Sequence, residues 1–167
     1  MMLRPATTAD LPALLSLIQA VVPLMRAAGN FQWDNTYPNE AVFRDDIRQR
    51  QLWLAEEAGS LAGVAAITED QDAEYGQVFD LAERAIVVHR LAVAPTFQGR
   101  GVAAALLQQA EQLALDRGIS RLRIDTNTVN EATQRLFPKL GYRLAGEITL
   151  AFRPGLRFLA YEKRLRS

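Results

Sequence analysis

The chain has 167 residues, which is enough for about one domain with a hydrophobic core. Basic and acidic residues each number 19, so no overall basic field attracts nucleic acid or an anionic membrane. Cysteine is absent and histidine occurs once, which excludes disulfides, thiol nucleophiles and metal sites made of cysteines or several histidines. We therefore predict a single domain over residues 1–167, without a metal.

The first half of the chain predicts helices followed by a strand hairpin. Thr8 can cap a helix whose apolar residues keep helical spacing as far as Ile18, and Pro23 is expected to interrupt that helix. Pro5 and Asp10 argue against a signal peptide or membrane span, so a cytoplasmic location is expected. The predicted ranges are 2–4, 52–57 and 61–68 for strands, 25–28 and 40–50 for further helices, and 31–39 for a loop.

The second half predicts strands that alternate with helices. Apolar runs and glycine stops place strands at 85–93, 122–126, 142–150 and 158–165, and helices at 101–117 and 130–140. A hairpin followed by strand–helix alternation indicates a mixed α/β sheet.

The most informative segment is residues 91–107, a strand that runs through a glycine-containing loop into an alanine-rich helix. The first amides of a helix have no acceptor within it and lie at the positive end of the helix dipole, so such a start binds anions, phosphates above all. Gly99 and Gly101 let a ligand approach the backbone closely.

Three interpretations of this segment are open. Residues 99–104 fit the dinucleotide pattern G-x-G-x-x-A, with Asp125 as a candidate ribose-binding acid, although five residues separate the strand from Gly99. The segment can also be an ordinary glycine-containing turn before an amphipathic helix. Thirdly, Gln98-x-x-Gly101-x-Ala103 resembles the acyl-coenzyme A loop of the GNAT acetyltransferase superfamily.

The rest of the chain extends this resemblance. Asn130 opens a segment that ends in Leu-Gly141-Tyr142, which is similar to the second conserved element of that family, and residues 3–10 resemble the usual start. The block Gln-Trp33-Asp-Asn-Thr-Tyr37-Pro resembles a loop of one bacterial branch of these enzymes. The resemblance implies a GNAT-type acyl-CoA acyltransferase fold, with a mostly antiparallel central sheet and helices on both faces, and a homodimer as one possible assembly.

The same resemblance implies acetyl-CoA as co-substrate and direct transfer of its acetyl group to an amine. The amide of Val93 would then face the thioester oxygen. The implied coenzyme-binding residues are Leu91, Ala92, Val93, Gln98, Gly99, Arg100, Gly101, Val102, Ala103, Ala104, Asn130 and Phe137. Asn130 can equally cap its own helix.

The general base and acid depart from the family pattern. No glutamate occurs in residues 85–89, so His89 is our candidate base; strand alternation would place it on the same face as Leu91 and Val93. The alternative is a buried histidine bonded to a carbonyl, and Asp80, Glu83 and Asp125 are weaker candidates. The usual tyrosine of the family falls at Phe137, which has no proton to donate.

Two segments bear on the acceptor. Trp33 and Tyr37 either wall a substrate pocket or cover the core. Residues 68–83 hold six acids and no base, so this acidic segment is either a negative field for a cationic amine or a solvated loop. The prediction is an N-acetyltransferase without nucleic-acid or membrane partners; the alternative is an acyl-CoA-binding sensory or structural module.

Overall fold

The computed structural model describes residues 1–166. The strands are β1 Met2–Pro5, β2 Leu52–Glu57, β3 Ser60–Thr68, β4 Ile86–Val93, β5 Arg121–Asn127, β6 Arg143–Ile148 and β7 Phe158–Arg164. The helices are α1 Leu11–Ala27, α2 Glu40–Arg48, α3 Val102–Asp116 and α4 Glu131–Lys139. The seven strands form one sheet in the order β1-β2-β3-β4-β5-β7-β6. The β4–β5 pair is parallel, whereas β1–β2, β2–β3, β5–β7 and β6–β7 are antiparallel, which confirms the predicted mixed fold.

The chain groups into two compact units. Unit 1 contains residues 1–67 and 89–109, and unit 2 contains residues 68–88 and the chain from Ala110 onward. The division falls inside β4 and inside α3. The single domain expected over residues 1–167 stays a prediction.

In unit 1, helices pack on both faces of the sheet. Val64 and Ala66 of β3 belong to a core that also holds the apolar residues of α1 and α2. Gly63 points to the other face, where an added Cβ would lie 2.6 Å from Cγ1 of Val102 in α3. Because a Cβ cannot approach another carbon so closely, this glycine allows α3 to pack against β3.

Unit 2 has its own core around β7. Tyr75, Ile148 and Phe158 are fully buried there, together with Val87 of β4. The parallel register of β4 with β5 joins Ile86–Val88 to residues 122–124.

The predicted interruption at Pro23 is wrong, because α1 continues through this residue to Ala27. An interior proline costs a helix about 3 kcal/mol. The helix buries six apolar residues, each of which contributes roughly 1.5–3 kcal/mol, so burial outweighs the proline. The predicted helix at 25–28 is thus the last turn of α1. Its predicted end is confirmed, since Gly29 has φ +84° and Asn30 N donates to Met25 O at 2.9 Å.

The start of α1 also differs from the prediction, because the N-cap of this helix is Asp10 rather than Thr8. A 3₁₀ turn over Thr8–Asp10 precedes the helix, and Thr7 caps that turn. Thr7 N donates to Oδ2 of Asp10 at 2.7 Å, and the Arg4 guanidinium donates to both oxygens of the same carboxylate at 2.9 and 2.7 Å. The hydrogen bond from Arg4 is the main reason that the pKa of Asp10 falls from 3.8 to about 2.

We expect Asp10 to make stability pH-dependent in acid. Because its pKa is lower in the folded chain than in the unfolded one, the ionised carboxylate stabilises the fold above about pH 4, and this contribution disappears as the pH falls towards 2. Its size should be on the order of 1 kcal/mol, since the Arg4 partner is partly exposed. Urea unfolding of Asp10→Asn should therefore show a smaller difference between pH 7 and pH 3 than the unaltered chain. Asp45→Asn, in an exposed pair with Arg48, is the control; an Asp10→Asn difference equal to that of the unaltered chain would contradict the assignment.

Candidate active site

The loop before α3 presents its amides to solvent. Gly99 and Gly101 have φ of +76° and +79°, a conformation that L side chains rarely adopt, and nothing lies within 4 Å of a Cβ added to either. The first helical hydrogen bond runs from Ala105 N to Gly101 O at 3.0 Å. Over the described residues 1–166, the amides of residues 99–104 donate to no backbone or side-chain acceptor. They form a row of donors at a helix N-terminus, which suits a diphosphate.

The end of β4 offers another donor. Ala94 N donates to Ala62 O of β3 at 2.8 Å. Since successive amides of a strand point to opposite sides, the Val93 N–H lies on the edge of β4 away from β3. Leu91 and Val93 are half-buried and Ala92 is buried. An extended ligand laid along this edge could pair with the main chain of Leu91 and Val93.

His89 is half-buried on β4. Strand alternation does not place its side chain on the same face as those of Leu91 and Val93, as the sequence suggested. Arg90, the next residue, has φ +53°, so the strand has a left-handed residue at this point, as in a β-bulge. A residue of this kind shifts the alternation of side chains between the two faces. The face that His89 presents therefore cannot be read from Leu91 and Val93, and its role as base stays a prediction.

A buried ion pair that the sequence did not predict lies beside His89. Nε and Nη2 of Arg90 donate to Oδ2 and Oδ1 of Asp46 on α2 at 2.7 and 2.6 Å, and Nη1 donates to the Tyr37 hydroxyl at 3.2 Å. The Asp46 side chain is 3% exposed and that of Arg90 is 16% exposed. Burial on its own lowers the pKa of Arg90, but the hydrogen bond to Asp46 and the charges around it give a net increase, so the guanidinium stays charged. The signal in the sequence that could have indicated this ion pair is Arg90 itself, a charged residue inside a mostly apolar strand.

The two aromatic residues predicted at the acceptor site have different surroundings. Trp33 is 4% exposed and packs in the core of unit 1, as one of the two alternatives expected. Tyr37 is partly buried at the edge of that core, and its hydroxyl meets Arg90. Contact of either residue with an acceptor stays a prediction.

In unit 2, Asn130 caps α4. Its Oδ1 accepts a hydrogen bond from Thr133 N at 3.2 Å, which is the capping alternative that the sequence left open. This bond uses only the side-chain oxygen of Asn130. The side-chain NH₂ group is a separate donor and is compatible with a coenzyme contact.

Phe137 is buried in an aromatic cluster with Tyr142 and Tyr161, at ring-centroid distances of 5.9 and 5.3 Å. The Tyr142 hydroxyl is buried and has no hydrogen-bond partner within residues 1–166. Burial raises the pKa of Tyr142, so its hydroxyl keeps its proton at neutral pH. Phe137 itself has no proton to give, whereas Tyr142 has one.

Two of the six acids in the acidic segment form ion pairs within unit 2. Glu69 pairs with Arg84 at 2.9 Å and with Arg117 at 3.3 Å, and Glu83 pairs with Arg121 and Arg123 at 2.9 and 2.6 Å. Four arginines outside the segment thus supply positive charge to these two acids. A field of six uncompensated acids is not what the structure contains, and Glu83 is a poor candidate base because two guanidinium groups bind it.

Asp125, another candidate base, accepts a hydrogen bond from the Tyr75 hydroxyl at 2.6 Å. Burial, followed by the Asp125 charge, raises the pKa of Tyr75 well above 10, so the phenol remains the donor in this pair.

Within residues 1–166 no group of three or more histidines, aspartates or glutamates could hold a metal ion. Residues 8–27 are long and apolar enough to cross a membrane by length and composition, but α1 within this range contributes its buried face to the core of unit 1.

Known proteins resemble the chain along most of its length. A GNAT-family acetyltransferase of Streptococcus agalactiae has a TM-score of 0.83 at 29% identity, covering 99% of this chain and 96% of that one. The Salmonella typhimurium protein yncA, solved with acetyl-CoA, shares the fold with a TM-score of 0.71 at 19% identity over 100% of this chain and 95% of its own.

Sequence relatives agree with the structural ones. The chain is 24% identical to N-acetyltransferase YesJ of Bacillus subtilis over 147 residues, 85% of this chain and 81% of that protein. It is 26% identical to mouse N-acetyltransferase 8B over 96 residues, 58% of this chain, and spans about two fifths (39%) of that relative's length. The model of the acetyltransferase (GNAT) family matches residues 18–142. The chain therefore belongs to the acetyltransferase (GNAT) family.

Proposed function

We propose that the chain is an N-acetyltransferase that transfers the acetyl group of acetyl-CoA directly to a primary amine. The observation that carries this proposal is the row of amides over residues 99–104, in the loop before α3 and its first turn, which have no acceptor among residues 1–166 in a chain of the GNAT family. A zero formal net charge gives no reason to expect nucleic acid as a partner.

The loop would hold the diphosphate of the coenzyme. Backbone donors at a helix N-terminus match its oxygens, and the open space at Gly99 and Gly101 leaves room for them. The pantetheine arm would lie along the side of β4 away from β3, at Leu91–Val93. In unit 2, Asn130 and Phe137 are further proposed contacts, and Tyr142 is the nearest candidate in the sequence for a proton donor beside Phe137.

Bound acetyl-CoA supplies a thioester whose carbonyl carbon takes the lone pair of the amine while its carbon–sulfur bond breaks. The Val93 N–H, on the side of β4 away from β3, would donate to the carbonyl oxygen as negative charge develops on it, a contribution typically worth about 3 kcal/mol. The absence of cysteine is consistent with direct transfer.

Proton transfer would involve His89. A protonated alkylamine has a pKa of about 10, so a base must take its proton before it attacks. The departing thiol needs less help, because with a pKa near 8.5 it can leave as thiolate and take a proton from water. This allows turnover although Phe137 stands where the family has tyrosine.

Tyr37, at the edge of the core that buries Trp33, is our proposed acceptor-side residue. We expect a small-molecule or peptide amine, a cytoplasmic location and a homodimer as one assembly.

The direct test incubates the purified chain with acetyl-CoA and a panel of amines, peptides and amino acids. Release of free thiol should depend on an amine, and mass spectrometry should show one acetyl group (42 Da) added to it. Binding of coenzyme A without thiol release across the panel would indicate an acyl-CoA-binding module instead. Thermal stabilisation by NAD but not by coenzyme A would indicate a dinucleotide site.

We expect His89→Gln to lower kcat/KM by about 10²-fold or more near neutral pH, the usual contribution of a general base. The loss should shrink as the pH approaches 10, because the amine then loses its proton without the imidazole. A pH–rate profile measures this, with Asp125→Asn as the comparison variant. An unaltered profile in His89→Gln would give His89 a structural role.

A further inference from the structure

Arg90 differs from the other non-glycine residues with positive φ in residues 1–166. Arg50 and Ala58 have φ of +57° and +51° and lie in turns, whereas Arg90, at +53°, lies inside β4. A left-handed conformation costs a residue with a side chain about 1–3 kcal/mol and persists only where its surroundings hold it. The position therefore needs a stabilising contact.

The guanidinium of Arg90 provides that contact. Two parallel hydrogen bonds of 2.7 and 2.6 Å tie it to the Asp46 carboxylate, which α2 buries almost completely, and a third reaches the Tyr37 hydroxyl at 3.2 Å. Asp46 is itself fixed by Gln51, whose Nε2 donates to Oδ1 at 2.9 Å. A planar, bidentate pair of this kind defines the orientation of the arginine as well as its charge.

The consequence falls on the next three residues. Leu91 follows the left-handed residue directly, and Ala94 is tied to β3 through Ala62, so residues 91–93 are fixed at both ends. Their amides are the ones that the proposed function assigns to pantetheine and the thioester oxygen. An oxyanion donor must lie within a few tenths of an ångström of its place, so the backbone at Arg90 decides whether Val93 N–H can act.

We infer that Arg90 is a positioning residue: its ion pair with Asp46 and its hydrogen bond to Tyr37 hold the left-handed backbone that aims the Val93 amide. This inference rests on the proposed function and adds to it. Through Arg90, helix α2 and the loop that contains Tyr37 would influence the reaction without contacting the thioester.

Two substitutions separate the backbone from the guanidinium. Arg90→Ala removes the side chain and keeps the cost of a positive φ, whereas glycine adopts φ +53° freely. We expect Arg90→Ala to lower kcat at least tenfold with less than threefold change in the KM for acetyl-CoA, and Arg90→Gly to recover at least fivefold of that loss. Both substitutions are also combined with Asp46→Asn. A variant that lacks only the guanidinium leaves the Asp46 carboxylate buried and unpaired, and the double variants avoid poor folding from this cause.

Arg50→Ala and Arg50→Gly are the matched controls, since Arg50 shares the φ but lies exposed in a turn; both should keep full kcat. The positioning role is overturned if Arg90→Ala turns over like the unaltered chain, or if Arg90→Gly is as slow as Arg90→Ala in both backgrounds. If the unaltered chain releases no thiol, the proposed function fails, and the readout becomes the Val93 amide resonance on addition of coenzyme A. A shift that Arg90→Ala abolishes and Arg90→Gly restores supports positioning, and an absent or unaltered shift overturns it.

Discussion

Gly101→Val is expected to raise the dissociation constant for coenzyme A at least tenfold while the chain still folds. Nothing in the protein except its chain neighbours lies within 4 Å of a Cβ at this position, so the added Cβ has no clash that would prevent folding. It would instead fill the space over the amide row that the diphosphate needs. Tenfold corresponds to about 1.4 kcal/mol, which the loss of one or two phosphate hydrogen bonds accounts for.

Backbone strain must be separated from loss of the ligand site, and Gly59 offers a matched control. It has φ +80° against +79° at Gly101, and its surroundings are equally open, but it lies in the β2–β3 turn. Both valine variants should therefore lose a similar stability, about 1–3 kcal/mol. Calorimetric titration with coenzyme A should show weaker binding in Gly101→Val only. Equal dissociation constants in the two variants would remove the loop from the site.

Arg123→Met is expected to give the largest loss of stability, about 3–5 kcal/mol. The side chain is fully buried on β5 and donates to Glu162, directly opposite on β7, at 2.9 Å, and to Glu83 and Gln71 at 2.6 Å each. Its guanidinium also lies 4.3 Å from the ring centre of Phe79. Methionine would remove the buried partner of the Glu162 carboxylate, whose other oxygen pairs with the exposed Arg164 at 3.0 Å.

Equilibrium unfolding in urea measures this effect. Arg84→Met, which breaks an exposed pair with Glu69, should cost less than about 1 kcal/mol. Adding Glu162→Gln to Arg123→Met should restore part of the loss, because it removes a largely buried carboxylate charge that has lost its buried partner. A loss no larger than that of Arg84→Met would show that the buried network contributes little.

The fold and the loop could be predicted because their signals are local. Each signal lies within a few positions of the chain: glycines in a loop, a helix that directly follows a strand, and apolar residues at a regular period. Pro23 was misjudged because its cost is local, whereas the burial of the α1 face that offsets it comes from tertiary packing.

Long-range ion pairs could not be predicted for the same reason. Arg90 reaches Asp46 across 44 positions, and Arg123 reaches Glu83 across 40. Neither spacing follows a helical or strand period, so the partners become evident only when the elements are packed. The left-handed residue beside His89, which makes strand alternation uninformative there, could not be predicted for the same reason, because its partner is distant in the sequence.

The proposed coenzyme site depends most on the amides over residues 99–104. A titration of the ¹⁵N-labelled chain with coenzyme A tests them directly. We expect the largest amide shift changes at Gly99, Gly101 and their neighbours, with a further change at Val93, and inorganic pyrophosphate alone should reproduce the loop changes. Saturable binding that leaves the resonances of residues 99–104 unmoved, or no binding at millimolar coenzyme A, would contradict the proposed site.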